Sequence, residues 1–248
     1  MLSKPMVKYI QSLQHKKFRD EFNVFVAEGP KVVSELLADG SFLCRQVFAL
    51  DNWLNSMDVA TKAIVTEKIE QVEAHELEKI SGLSTPNQVL AVFEKKPSID
   101  SFNPADNITL VLDDIQDPGN LGTMIRTADW FGVQHIVCSK QTADMYNSKV
   151  VQSTMASLGR VNVVYTDLFN WLSQQPSIPT YAATLQGMPV DANTLPKEAI
   201  LLIGNESKGV SPALMDCVDH QITISKWGMA ESLNAAVATG ILLHAFRQ

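Results

Sequence analysis

LVLDDIQDPGNLGTMIRTADWFG, Leu110 to Gly132, is the stretch that decides the fold. Ile108 to Leu112 is a continuous apolar run of strand type, ending at the acids Asp113 and Asp114. The turn Asp117-Pro118-Gly119-Asn120 follows, with Pro presetting φ and Gly giving the freedom for a sharp reversal. Asn120 can cap the next helix by accepting an orphaned backbone N–H. Leu121, Met124, Ile125, Ala128 and Phe131 then recur at helical spacing, and Gly132 is a stop. Thr123, Arg126 and Trp130 lie on the opposite face. A buried strand feeding a helix through a polar turn puts functional groups at the strand's carboxyl end, where open α/β sheets bind ligands. The same residues would serve any strand-to-helix turn for backbone reasons alone, so two further stretches have to decide the chemistry.

The first is ILLIGNESKGVSP, Ile200 to Pro212: five strand-type residues end at Gly204-Asn205-Glu206. Gly204 and Gly209 allow close backbone approach, and Glu206 sets a carboxylate beside that opening. It is not a phosphate loop, because the Gly-x-x-x-x-Gly-Lys-Ser/Thr spacing is absent and Glu206 would repel a phosphate. The second is ITISKWGMAESLNAAVATGILLH, Ile222 to His244, a short strand and then a helix opened by Glu231-Ser232-Leu233-Asn234, with Ser232 as the natural N-cap. Asn234 inside an apolar helix must satisfy its amide somewhere. Ala235, Ala236, Ala238 and Gly240 let another backbone pack close.

Together, Asn120-x-Gly122-x-x-x-Arg126, Gly204-Asn205-Glu206-x-x-Gly209 and Ser232-Leu233-Asn234 resemble the three signature motifs of the SpoU/TrmH RNA 2′-O-ribose methyltransferases, in the same order and placement. VKYIQSLQHKKFRDEFNVFVAEGPKVVSELL, residues 7–37, resembles the substrate-binding domain often attached to these enzymes. The resemblance implies a parallel-sheet α/β domain of the SPOUT type with a trefoil knot, S-adenosylmethionine as methyl donor, and a homodimer. It implies Arg126 nearest the reacting ribose hydroxyl, supported by Asn120, with Glu206, Ser232 and Asn234 shaping the site. It implies cofactor contacts at Thr184, Gly204, Ile224, Met229 and Leu233. The family is usually described with this Arg as the base. An arginine is always charged near neutrality, so oxyanion stabilisation and phosphate anchoring suit it better. The sequence departs from the family at Ile224-Ser225-Lys226, where Ile-Pro-Met is usual, and at Ala235-Ala236, where Val-Ser often follows Ser-Leu-Asn.

Outward from these motifs, strand and helix alternate along the chain, the pattern of a layered α/β fold. KKPSIDSFNPADN, Lys95 to Asn107, breaks the alternation and predicts a linker between a small α/β domain at 1–94, of ribosomal-protein-like fold by resemblance, and the methyltransferase domain at 108–248. In the first domain the predicted elements are a helix at Lys4 to Gln14, strands at 23–27, 46–50, 63–66 and 89–93, and a helix near 73–80. In the second, helices are predicted at 149–158 and 232–246.

With 248 residues, 46% of them hydrophobic, a sizeable core is attainable. No apolar run reaches the ~20 residues of a membrane span. Three scattered cysteines without a C-x-x-C pair, and no secretory leader, point to reduced thiols and a cytoplasmic location. The histidines form no metal-spaced pair, so no metal is expected. The net charge of −7 argues against a nucleic-acid partner, yet Lys8, Lys16, Lys17 and Arg19 form a basic cluster that could hold RNA phosphates. A catalytically inactive RNA-binding protein of the same fold is the alternative; intact Arg126, Glu206 and Asn234 speak against it. A dinucleotide oxidoreductase lacks its G-x-G-x-x-G fingerprint. The additional N-terminal domain favours ribosomal over transfer RNA.

Overall fold

The computed structural model describes residues 1–97 and 102–248; part of the expected linker, 98–101, lies outside the described residues. The chain packs into two compact units, residues 1–97 with 144–159, and residues 102–143 with 160–248. The segment Asp144–Gly159, inside the expected second domain, thus packs with the first unit.

The first unit runs α1 (Lys4–Ser12), α2 (Lys16–Phe22), β1 (Val24–Glu28), α3 (Pro30–Asp39), β2 (Cys44–Ala49), α4 (Asp51–Ser56), α5 (Val59–Val65), β3 (Ile69–Gln71), α6 (Ala74–Ile80) and β4 (Val89–Glu94). Its sheet has the order β1-β4-β2-β3, with β2 and β3 parallel and the other pairs antiparallel. Ile10, Leu13, Leu77 and Ile80 pack with Val24, Val26, Phe48, Leu90 and Val92 into its core. Phe25 instead meets Phe42, Phe93 and Tyr146, with ring centroids 4.9–5.7 Å away. Tyr146 is buried enough to push its phenol up to about 12, and its oxygen accepts the Lys96 N–H.

Residues 63–66, expected as a strand, lie in and just after α5. Asp58 accepts the Thr61 N–H at 2.9 Å and the Thr61 hydroxyl at 2.6 Å. A cap of this kind stabilises a helix by ~1 kcal/mol, which outweighs the few tenths that β-branched Ile64 and Val65 lose there. The strand forms four residues later, at β3.

The second unit opens with β5 (Ile108–Leu112), α7 (Pro118–Trp130) and β6 (His135–Ser139). The chain then contributes α8 (Ser148–Thr154) to the first unit; Met155 and Ala156, both at positive φ, end that helix before the expected Leu158. It resumes with β7 (Asn162–Thr166), α9 (Leu168–Ser173), β8 (Thr180–Pro189), β9 (Ala199–Ile203), α10 (Pro212–Met215), β10 (His220–Thr223) and α11 (Ala235–Phe246). These strands form a six-stranded, all-parallel sheet of order β10-β8-β9-β5-β6-β7. β5 and β9 are buried at every residue, as the continuous apolar runs require. From β5 the chain steps outward to β6 and β7, then returns on the other side through β8 and β9. The strand order therefore reverses at β5/β9, where a parallel sheet opens a crevice at its carboxyl edge.

Candidate active site

Leu112 pairs with Ile203, so the loops leaving β5 and β9 start side by side. Asp113 is buried; its N–H donates to the Ile203 carbonyl and its carboxylate accepts the Ser211 N–H at 2.8 Å. Asn205 ties the loops again. Its amide N–H donates to the Asp114 carbonyl at 2.8 Å, while its Oδ1 accepts the N–H groups of Ser207 and Lys208. Gly204 has no room for a side chain: a Cβ there would fall 2.2 Å from backbone atoms of Gly209 and Val210. Gly209, at φ +70, closes the turn by two backbone hydrogen bonds with Asn205.

Pro118 occupies the first turn of α7, so the cap falls to the residue before it. Asp117, not Asn120, accepts an N–H, that of Asn120 itself, at 2.8 Å. The Asn120 side chain is thereby released for tertiary contacts: it donates to Glu206 Oε1 at 2.7 Å and accepts from Asn234 Nδ2 at 2.9 Å. The second helix start differs too. Asn234, not Ser232, caps α11, accepting the N–H groups of Ala236 and Val237, so its amide is satisfied at the helix entrance rather than inside it. Three polar residues 86 and 114 positions apart thus form one chain, Asn234–Asn120–Glu206.

Arg126 is exposed on α7 and forms no hydrogen bond or ion pair among the described residues. Ser232 is exposed in the irregular segment before α11 and joins no hydrogen bond among the described residues. Ile224 directly follows β10; Met229 and Leu233 are exposed beyond it. Thr184 lies in β8 where the pairing with β10 jumps from Ala182 to Met188. Its Oγ1 is buried with no hydrogen-bond partner. Sequence reasoning missed Asp113 and Asn205 as the ties between loops, although two acids directly after a buried strand were a usable signal.

In the first unit, Lys8, Lys16 and Lys17 are exposed. Arg19 is not available to RNA: it is 2% exposed, donating to the Leu13 and Gln14 carbonyls and, at 2.7 Å, to Asp144. It is a structural arginine, drawn inward because α2 turns it onto two carbonyls at the end of α1.

The chain is similar to known proteins over almost its whole length. Residues 107–244 match the model of the SpoU rRNA methylase family, and residues 4–91 that of the MRM3-like substrate binding domain. The 23S rRNA (guanosine(2553)-2′-O)-methyltransferase RlmP of Bacillus subtilis is 31% identical over 244 residues, 97% of this chain and 95% of that one. A 23S rRNA (uridine(2479)-2′-O)-methyltransferase of Streptomyces viridochromogenes is 29% identical, over 80% of this chain and 72% of that one. Among solved structures, an AdoMet-bound rRNA methyltransferase from Sinorhizobium meliloti superposes with a TM-score of 0.86 at 30% identity, over 100% of this chain and 95% of that one. With the motifs gathered at the carboxyl edge of a parallel sheet and the family match spanning them, the chain belongs to the SpoU rRNA methylase family.

Proposed function

We propose that this protein transfers a methyl group from S-adenosylmethionine to a ribose 2′-hydroxyl of ribosomal RNA. The observation that carries the reading is the Asn234–Asn120–Glu206 chain, which draws the three motifs together; the same unit holds a buried, partnerless Thr184 hydroxyl. That orphaned oxygen fits a polar cofactor. Thr184, Gly204, Ile224, Met229 and Leu233 would hold it. S-adenosylmethionine supplies a methyl group already activated for displacement by its positively charged sulfur. Ribosomal rather than transfer RNA is supported by the relatives RlmP and the Streptomyces enzyme, both acting on 23S rRNA.

The chain's own part is positioning and charge. Glu206 holds the Asn120 amide, and Asn234 fixes it from the other side, so the floor of the site is rigid before RNA arrives. Arg126 is left with a free planar guanidinium. It would bind the phosphate next to the target ribose and stabilise the 2′-oxyanion as its proton leaves to a phosphate oxygen. Ser232 would contact the RNA from the exposed edge. Residues 1–94 would bind the substrate, with Lys8, Lys16 and Lys17 on phosphates, and residues 108–248 would carry catalysis along the knotted path that the family resemblance implies.

A homodimer is part of this reading. Val237 and Ile241, 51% and 40% exposed, lie one turn apart on α11, and Trp130 on α7 is 84% exposed. α7 and α11 pack together where Gly240 faces Thr127, so these residues belong to one helix pair. Among the described residues no helix is long and apolar enough to cross a membrane; we place the protein in the cytoplasm with its RNA.

Ribose-methylation mapping of total RNA from a deletion strain tests the function. One ribosomal 2′-O-methyl should disappear and return with the wild-type gene but not with Arg126→Ala. An unchanged map would overturn the reading.

A further inference from the structure

The first unit contains a cavity of about 310 Å³, lined among others by Glu28, Gly82, Ser84, Lys149 and Gln152. That is the lower end of the ~300–1,000 Å³ range of small-ligand sites, room for one planar ring system. Its most unusual wall is Glu28, a carboxylate 5% exposed that forms no ion pair among the described residues. Burial pushes its carboxyl up from the ordinary range. Glu28 Oε2 accepts the Ser81 hydroxyl and Oε1 the Gly82 N–H at 2.8 Å. Each carboxylate oxygen has two acceptor positions, so one on each remains available.

Two side chains around it, Gln152 and Ser84, are just as incompletely used. The Gln152 amide has no hydrogen bond among the described residues, and its Nε2 lies 4.0 Å from where a Cβ on Gly29 would stand. The Ser84 hydroxyl has none either. Lys149 is exposed on the same lining.

We infer that this cavity receives one unpaired guanine of the RNA substrate, apart from the reacting ribose. Two adjacent acceptors on a buried carboxylate complement two adjacent N–H donors. Of the four RNA bases only guanine offers these on its pairing edge, at N1 and the exocyclic N2; adenine and cytosine present an acceptor at the ring nitrogen. Sequence-specific reading of RNA works on such splayed-out bases, through their edges. The Gln152 amide can donate to O6 or N7. An arginine from a protein partner would also match a carboxylate, but a guanidinium offers no acceptor for the donors of the Gln152 amide, which guanine does at O6 and N7. The proposal rests on RNA being the substrate and adds which base the first unit reads.

The test is an NMR titration of the ¹⁵N-labelled full-length protein with GMP, IMP, AMP, CMP and UMP, which share the phosphate and differ in the base. GMP should move the Gly82 backbone and Gln152 side-chain amides saturably. IMP, lacking N2, should bind about tenfold more weakly, the effect of one hydrogen bond to a charged acceptor. AMP, CMP and UMP should leave both signals in place. Glu28→Gln should erase the preference for GMP over IMP. Because Glu28 also holds Ser81 and Gly82, Gln152→Ala is the second variant, expected to weaken GMP several-fold at an unchanged melting temperature. Equal shifts with all five nucleotides would mean phosphate binding at Lys149 only. No shift with GMP at millimolar concentration, or shifts with N-acetyl-arginine amide alone, would overturn the proposal. Calorimetry of S-adenosylmethionine on the same sample reports separately on the methyltransferase reading.

Discussion

Arg126 is a cation with no partner on a helix whose opposite face is fully buried, and nothing in the packing of the second unit requires it. An exposed helix charge contributes less than ~1 kcal/mol to folding. Arg126→Ala should therefore leave the melting temperature and cofactor affinity unchanged while slowing single-turnover methylation by two to three decades, ~3–4 kcal/mol of barrier. Arg126→Lys should rescue little, since a point charge cannot reproduce the planar fork. A variant within threefold of wild type would remove Arg126 from the chemistry. Arg19 shows the reverse case. It neighbours three lysines in the sequence, yet its guanidinium is committed to Leu13, Gln14 and Asp144. Arg19→Ala would leave Asp144 without its cation in a half-buried setting, and chemical denaturation should show a loss on the order of 3 kcal/mol. Neutralising Lys8, Lys16 and Lys17 should spare stability and flatten the salt dependence of RNA binding. Unchanged salt dependence would make them ordinary surface.

At the scale of elements, the glycines of the loops leaving β9 and β10 differ sharply in what they tolerate. A Cβ at Gly204 would collide with the Gly209–Val210 backbone, whereas one at Gly228 would meet nothing within 4 Å. Gly204→Ala must displace the turn that Asn205 anchors to Asp114, and calorimetry should record at least a tenfold loss of S-adenosylmethionine affinity, ~1.4 kcal/mol. Gly228→Ala serves as the control and should bind as wild type; equal behaviour of the two would remove the Gly204 turn from cofactor binding. The strands β5 and β9 were legible in the sequence because an unbroken apolar run between polar turns has few other solutions. The motifs were legible because each sits directly after such a strand or at a helix start. The caps were not: Asp117 and Asn234 displaced Asn120 and Ser232 by positions that only the turn geometry decides. The burial of Arg19 is not legible in the sequence, because it depends on the carbonyls that end α1 and on an aspartate 125 residues along the chain. The link from Asn234 through Asn120 to Glu206 spans three loops and no local pattern encodes it.

For the whole molecule, the exposed apolar residues of α7 and α11 are the feature that solvent alone does not explain. If they form the homodimer interface, it should bury well over ~1,000 Å². Val237→Glu with Ile241→Glu should then give a monomer by light scattering at micromolar concentration, with methylation lost. A doubly substituted protein that stays dimeric would place the interface elsewhere. The first unit carries a different consequence. Its Arg19 needs Asp144 and its Phe25 packs on Tyr146, so the unit is unfinished when the ribosome has made only residues 1–97. Synthesis proceeds at ~5–20 residues per second, so the N-terminal half waits several seconds for its last piece, while β5, α7 and β6 are already emerging. An expressed 1–97 fragment would carry that interruption permanently. The nascent chain cannot complete its first unit before the scaffold of its second has begun to appear.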